Sequence, residues 1–444
     1  MLKLIIILFA TYLRITPGVY FADLLIFIYL TRQFLGSPPP ISPETSFFLK
    51  AFAVSILGFF ISFFYTEITG QRLFEPFPAL LYYSLFAFKL VFYSFFLKAL
   101  FLRKPKLIVP LIYALSFPVF ISFISFFNPS LNQFFLSING FYDDTGVLLA
   151  GDAGRYGGIY GPQVNSYGAH ALQVLIANLI LLRLRNNLFN RLAQYVFIFC
   201  GAAGCFLSGS RTTIVLLFAS LIIYLASISW YALKNLRFRI RIGIFSKSMI
   251  LFLALATILM GFIRYTLHSS ASEVSIYFQQ LTDRWFDIQL HTRDITLGQG
   301  EEYSTINVLS SAFVQYYSDS LLPILTGTLT GAGIDSLLFG MINVLGLPAT
   351  SMISFYIIKG FNALSSSTRA TFFGKTLYAI LIAGFLFSSL KSRAPAGNAN
   401  VLLLLILISP YLYSEMFILH SNSKESLDNP GNCPRQGLRL MPPS

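Results

Sequence analysis

The chain has 444 residues, of which 55% are hydrophobic and only 11% charged, whereas soluble domains carry about 25% charge. At a mean hydropathy of +0.69, so few charges cannot cover the surface of a soluble protein of this length. Repeated apolar runs of about 20 residues, each able to cross ~30 Å of hydrocarbon as a helix, point instead to an all-α, polytopic membrane protein. The 31 Lys and Arg against 18 Asp and Glu leave a net charge of +13. A nucleic-acid partner would need a continuous basic face on a soluble module. Here the basic residues lie between apolar runs, the pattern of positive-inside topology, so no nucleic acid is expected. The 47 Phe and 24 Tyr suit lipid-facing and interfacial helix surfaces. Cys200 and Cys205 share one apolar run and Cys433 stands alone in a polar tail, so neither a disulfide framework nor a metal site is implied.

In chain order, apolar segments lie near Leu4–Leu13, Gly18–Leu30, Ser46–Thr66, Phe77–Phe101 and Leu107–Phe127. Next come Ala169–Leu182, Leu192–Ser208, Thr212–Trp230, Ser248–Ile263 and Asp335–Ile358, the last of these interrupted by Gly340, Gly346 and Pro348. Thr376–Leu390 and Ala399–Ile418 bring the expected spans to about 12. The first follows Lys3 but precedes no small-residue cleavage site, so it reads as a retained anchor. The expected divisions are N-terminal helices over 1–127, central helices with a first outer loop over 128–263, a large outer loop over 264–334, C-terminal helices over 335–420 and a disordered polar tail over 421–444.

Orientation follows from three basic clusters: Lys98 to Lys106, Arg183 to Arg191, and Lys234 to Lys247. Neighbouring clusters are two spans apart, so all three can be cytoplasmic. That assignment places 21 Lys/Arg and 3 Asp/Glu on the inner side against 9 and 13 on the outer side, with Lys391 and Arg393 the local misfit. Two long loops then face outward, Asn128–Gly168 and Arg264–Ile334. The second is far longer than ordinary connections. Its Trp285 and its paired Arg and Asp residues read as a folded cap.

Outer loops should be poor in Arg, yet Arg155, Arg211, Arg264, Arg284 and Arg293 fall there. One surface Arg is often merely solvated; a set of them at the membrane–water boundary suits a diphosphate, because the guanidinium fork donates paired hydrogen bonds and never deprotonates. Arg155 lies in Gly154-Arg155-Tyr156-Gly157-Gly158-Ile159-Tyr160-Gly161-Pro162-Gln163-Val164-Asn165. Its glycines and proline favour sharp turns and close backbone approach, Tyr156 and Tyr160 offer flat faces for sugars, and Asn165 supplies an amide before the next helix. Arg211 lies in Ser208-Gly209-Ser210-Arg211-Thr212. Two spans meet there with almost no loop, so a helix N-terminus, which favours anions, points outward beside the guanidinium. His268 and His291 are candidate bases in the large loop, where Arg284 and Arg293 stand beside Asp283 and Asp294. Asp335 is expected to hold an Arg in place or to cap its helix. Lys89, mid-span, is a functional candidate, but pairing with Asp23 inside the bundle is the preferred reading.

Taken together, these positions resemble the bacterial O-antigen polymerase and O-antigen ligase superfamily. Gly154–Asn165 looks like that family's Gly-Arg-x-x-Gly…Pro-x-x-Asn segment, and Ser208-Gly209-Ser210-Arg211 is similar to its Ser-Gly-Ser-Arg helix start. Gly331-Ala332-Gly333-Ile334-Asp335-Ser336, after the large loop, completes the ordered set. The resemblance implies a metal-independent glycosyltransferase of the bacterial inner membrane, without a cofactor. It would join undecaprenyl-diphosphate-linked oligosaccharide units at the periplasmic face and release undecaprenyl diphosphate. Arg211, Arg155 and Arg284 would be catalytic; Tyr156, Tyr160, Asn165, Arg293, His291 and Asp335 would bind substrate. Membrane lipid, a chain-length regulator and a flippase are the partners it implies. A ligase attaching finished polymer to lipid A-core is the nearest rival, disfavoured because His268 and His291 match the ligase His only loosely. A polysaccharide transporter or flippase would use Lys89, Asp23 and Glu415 along a path within the bundle, yet the chemistry-bearing residues concentrate outside it.

Overall fold

The computed structural model describes residues 14–16, 19–36, 41–69, 76–103, 107–139, 156–160, 164–184, 188–234, 322–327, 337–366, 372–391 and 398–409. The expected spans Leu4–Leu13 and Ser248–Ile263, most of the large loop, and the tail 421–444 lie outside these residues.

Apolar runs with little internal polarity form helices because only intrachain hydrogen bonds can satisfy their backbones away from water. They are α1 (Phe21–Gly36), α2 (Pro43–Thr69), α3 (Pro76–Arg103), α4 (Ile108–Phe126), α5 (Pro129–Ile138), α6 (Val164–Leu184), α7 (Leu188–Leu207) and α8 (Arg211–Lys234). After the undescribed stretch come α9 (Leu322–Thr326), α10 (Leu337–Leu345), α11 (Leu347–Leu364), α12 (Phe372–Lys391) and α13 (Asn398–Ile408). Among the described residues the regular structure is helical but for a short antiparallel ladder, β1 (Arg14–Thr16) with β2 (Val19–Tyr20); β2 therefore occupies the start of the expected Gly18–Leu30 helix. Among the described residues three helices are long and apolar enough to cross a membrane: Pro43–Thr69, Ser84–Leu102 and Ile108–Phe126.

Two other expectations change. The loop expected over Asn128–Gly168 is partly helical: Pro129 opens α5 after Asn128, whose side-chain oxygen accepts the Leu131 amide at 3.1 Å, an N-cap followed by a proline whose missing N–H costs nothing. The expected Asp335–Ile358 span is two helices, divided at Gly346, where φ is +80°. A Cβ on Gly346 would lie 2.3 Å from the Leu325 carbonyl oxygen, so only glycine allows the α9 end to meet this elbow.

α2 and α11 run antiparallel in close contact: Gly58 faces Ala349, and Gly360 faces the Phe48 ring. Phe48 and Phe361 are edge-on at 5.7 Å. α6 and α7 approach equally closely through Gly201 and Gly204 against Ala171, the small-residue packing that lets membrane helices gain dispersion contact. Lys89 on α3 is buried, and Asp23 on α1 is the carboxylate whose charge acts on it. Asp23 also accepts the Tyr20 amide at 2.9 Å and the Tyr93 hydroxyl at 2.5 Å. Both groups preferred as an intrabundle pair on sequence grounds thus lie among the packed helices, close enough for the Asp23 charge to act on Lys89.

Candidate functional site

One end of the bundle gathers the last turns of α4 and α7 and the first turns of α6, α8 and α13. The tie is made by residues 156–160, whose last three form a 3-10 turn. The Tyr156 amide donates to the Leu207 carbonyl at 3.0 Å, so the segment that follows Arg155 rests on the foot of the hairpin that leads into Arg211. From α4, Ser122 Oγ accepts the Ile159 amide at 3.3 Å and Ser125 Oγ shares a 2.7 Å hydrogen bond with the Tyr156 hydroxyl. Asn139, just past α5, donates to the Ile159 carbonyl at 3.1 Å. Gly158 has φ +55°, and a Cβ there would sit 2.4 Å from that of Ser122. Both the backbone sign and the space require glycine.

On the facing side, a Cβ on Gly168 would lie 2.6 Å from Ser208 Oγ and 3.1 Å from Thr213 Oγ1, so α6 presses against the α7–α8 hairpin. That hairpin turns at Gly209, φ +60°. Ser208 Oγ accepts the Ser210 amide at 3.4 Å, and the Ser210 carbonyl accepts from Ile214. Arg211 is thus the first residue of α8, at a positive helix end, as its sequence setting suggested. The Asn400 amide donates to the Ser166 carbonyl at 3.4 Å, which brings the start of α13 to the same end.

The tyrosines are held more firmly than expected. Tyr156 is 8% exposed, its ring edge-on to Phe126 at 5.0 Å and to Tyr167 at 6.2 Å. Burial pushes its phenol well above the usual tyrosine range, against the opposing effect of the Ser125 bond, so it stays neutral. The open sugar-stacking face expected of Tyr156 is corrected to an anchoring one: its ring is enclosed and its hydroxyl is taken by Ser125 and, at 3.3 Å, Asn132. Tyr160 is only partly buried, with its hydroxyl bonded to His170 Nδ1. Asn165 falls inside α6 rather than before it, and its side-chain oxygen is buried without a hydrogen bond among the described residues. That acceptor can take a hydroxyl donor.

Arg155, Arg284, Arg293, His268, His291 and Asp335 lie outside the described residues. His170, Tyr167, Ser122, Ser125 and Asn139 carry no sequence signal, since each is one polar residue in or beside an apolar run. A buried polar group must find a partner, which is the rule that could have nominated them. No family model matches the chain, and no curated protein or solved structure gives a significant match.

Proposed function

We propose that the chain is an O-antigen polymerase of the bacterial inner membrane, with about 12 transmembrane helices and its active face toward the periplasm beneath the large loop over 264–334. The observation that carries this reading is the Tyr156–Leu207 backbone hydrogen bond. It joins two segments far apart in sequence, one immediately following Arg155 and the other leading into Arg211, at a single end of the bundle. In this reading Arg211 and Arg155, with Arg284 or Arg293, hold the diphosphate of an undecaprenyl-linked oligosaccharide. The acceptor hydroxyl oxygen bonds to the anomeric carbon as the carbon–oxygen bond to diphosphate breaks. The bonding electrons depart with undecaprenyl diphosphate, and the hydroxyl proton passes to solvent. Guanidinium groups and the α8 N-terminus stabilise charge growing on the leaving group, while holding the acceptor beside that carbon supplies proximity. The Asn165 side-chain oxygen, buried without a hydrogen bond among the described residues, suits a sugar hydroxyl.

The test is the surface polysaccharide of cells carrying Arg155→Ala or Arg211→Ala. Each should lose roughly 100-fold or more of chain growth, the cost of removing one charge-stabilising group, leaving core with a single repeat unit on a gel. A full-length ladder in both variants overturns the mechanism. Unattached polymer would mean a ligase, and transfer of lipid-linked sugar across vesicles without new glycosidic bonds would mean a transporter.

A further inference from the structure

We propose that His170 is a positioning residue: by holding Tyr160 it fixes the turn that follows Arg155, and it does so without touching substrate. The inference rests on the polymerase reading above and deepens it.

His170 sits on α6, six residues inside its start, and is fully buried at 0% exposure. A side chain with no accessible surface cannot reach an acceptor hydroxyl, so it is not the base of the transfer. Its Nδ1 is hydrogen-bonded to the Tyr160 hydroxyl, the two rings standing edge-on with centroids 5.8 Å apart. The backbone of Leu115 on α4 is a further polar neighbour of the ring. Tyr160 leans in turn on Tyr167, 5.6 Å between centroids.

The geometry explains why an imidazole stands in an apolar stretch of helix. Residues 156–160 make few backbone hydrogen bonds of their own, the Tyr160 amide to the Gly157 carbonyl at 3.0 Å being one. A turn that short holds its shape only if outside groups clamp it. Tyr156 is clamped at one end by Ser125 and Leu207. His170 clamps the other end, so that residues 156–160, which follow Arg155 in the chain, are fixed at both ends. Polar clamps of this kind are costly to half-remove: a buried donor or acceptor left without its partner loses its full solvation, whereas replacing both partners by apolar groups is close to neutral.

That asymmetry provides the experiment. Full-length protein in lipid nanodiscs carries His170→Leu, Tyr160→Phe, the pair together, or His170→Asn, which keeps a polar group near the Nδ1 position. Hydrogen exchange is read at the Tyr156, Ile159 and Tyr160 amides, and chain elongation on lipid-linked oligosaccharide gives kcat and KM. His170→Leu should exchange about tenfold faster at these amides and lose kcat with KM unchanged. Tyr160→Phe, which strands the fully buried imidazole, should do the same at least as strongly, the double variant should recover relative to either single variant, and His170→Asn should retain most of the wild-type behaviour. If His170→Leu does not fold, Tyr160→Phe and His170→Asn still decide. Unchanged exchange, or effects of the two single substitutions that simply add, overturns the proposal. So does a Tyr160→Phe variant that raises KM alone, since Tyr160 would then act on sugar directly. Absence of chain growth in the wild type sinks the polymerase reading, and the exchange measurement then decides by itself whether His170 orders the turn.

Discussion

The α2–α11 seam and the end where α4, α6, α7 and α8 meet both depend on close backbone approach, yet they use it differently. In the seam, glycine meets apolar shape: Gly360 lies under the Phe48 ring, and Gly58 lies against Ala349 and Leu345. No polar group is being satisfied there, and the gain is dispersion between surfaces no more apolar than lipid. At the other end, glycine lets a short turn settle among hydroxyls and amides. Gly158 sits under Ser122, Gly168 beside Ser208 and Thr213, and hydrogen bonds join Ser122, Ser125, Asn132, Asn139, His170 and Leu207 to residues 156–160. The seam is a scaffold and tolerates smooth changes of volume. The end is the candidate site, where each partner lost leaves another group stranded.

Three substitutions separate the two. Gly158→Ala should be the most damaging: it places a Cβ at φ +55°, 2.4 Å from that of Ser122, where neither backbone can yield. Adding left-handed strain to a buried clash gives about 3 kcal/mol or more, measured as thermal unfolding in detergent, with loss of elongation beyond what the stability change explains. Gly360→Ala comes next. Its new Cβ meets the far edge of the Phe48 ring at 2.4 Å, and a ring can tilt. A cost of about 1–3 kcal/mol is expected, while elongation per folded molecule stays at the wild-type level; a fall in kcat would break the division between scaffold and site. Asn139→Ala is the smallest. It strands the Ile159 carbonyl and should cost about 1 kcal/mol, yet speed hydrogen exchange at 156–160 more than Gly360→Ala does.

Much of this was legible in the sequence, and the reason is local. A helix satisfies its own backbone, so a run such as Leu107–Phe127 announces α4 to within a residue, and Ser208–Arg211 announces a hairpin entering a helix. The Gly346 break was likewise marked by its own glycine and proline. The helix inside Asn128–Gly168 was not legible for an equally physical reason: α5 is short and amphipathic, with no hydropathy peak. Tyr156 was misread because an aromatic in a glycine-rich stretch looks the same whether its ring is open or enclosed by Phe126 and Tyr167.

Alone, then, the sequence determined the class of molecule, the limits of most helices and the spacing of the arginine-bearing segments, because hydropathy, length and turn chemistry act within a few residues. Only the tertiary structure decided that the Tyr156 amide reaches Leu207, that His170 takes Tyr160 and that the Tyr93 hydroxyl reaches Asp23. Those pairings join residues on different elements, chosen by the need to satisfy buried polar groups in three dimensions, and no local pattern encodes which group answers which.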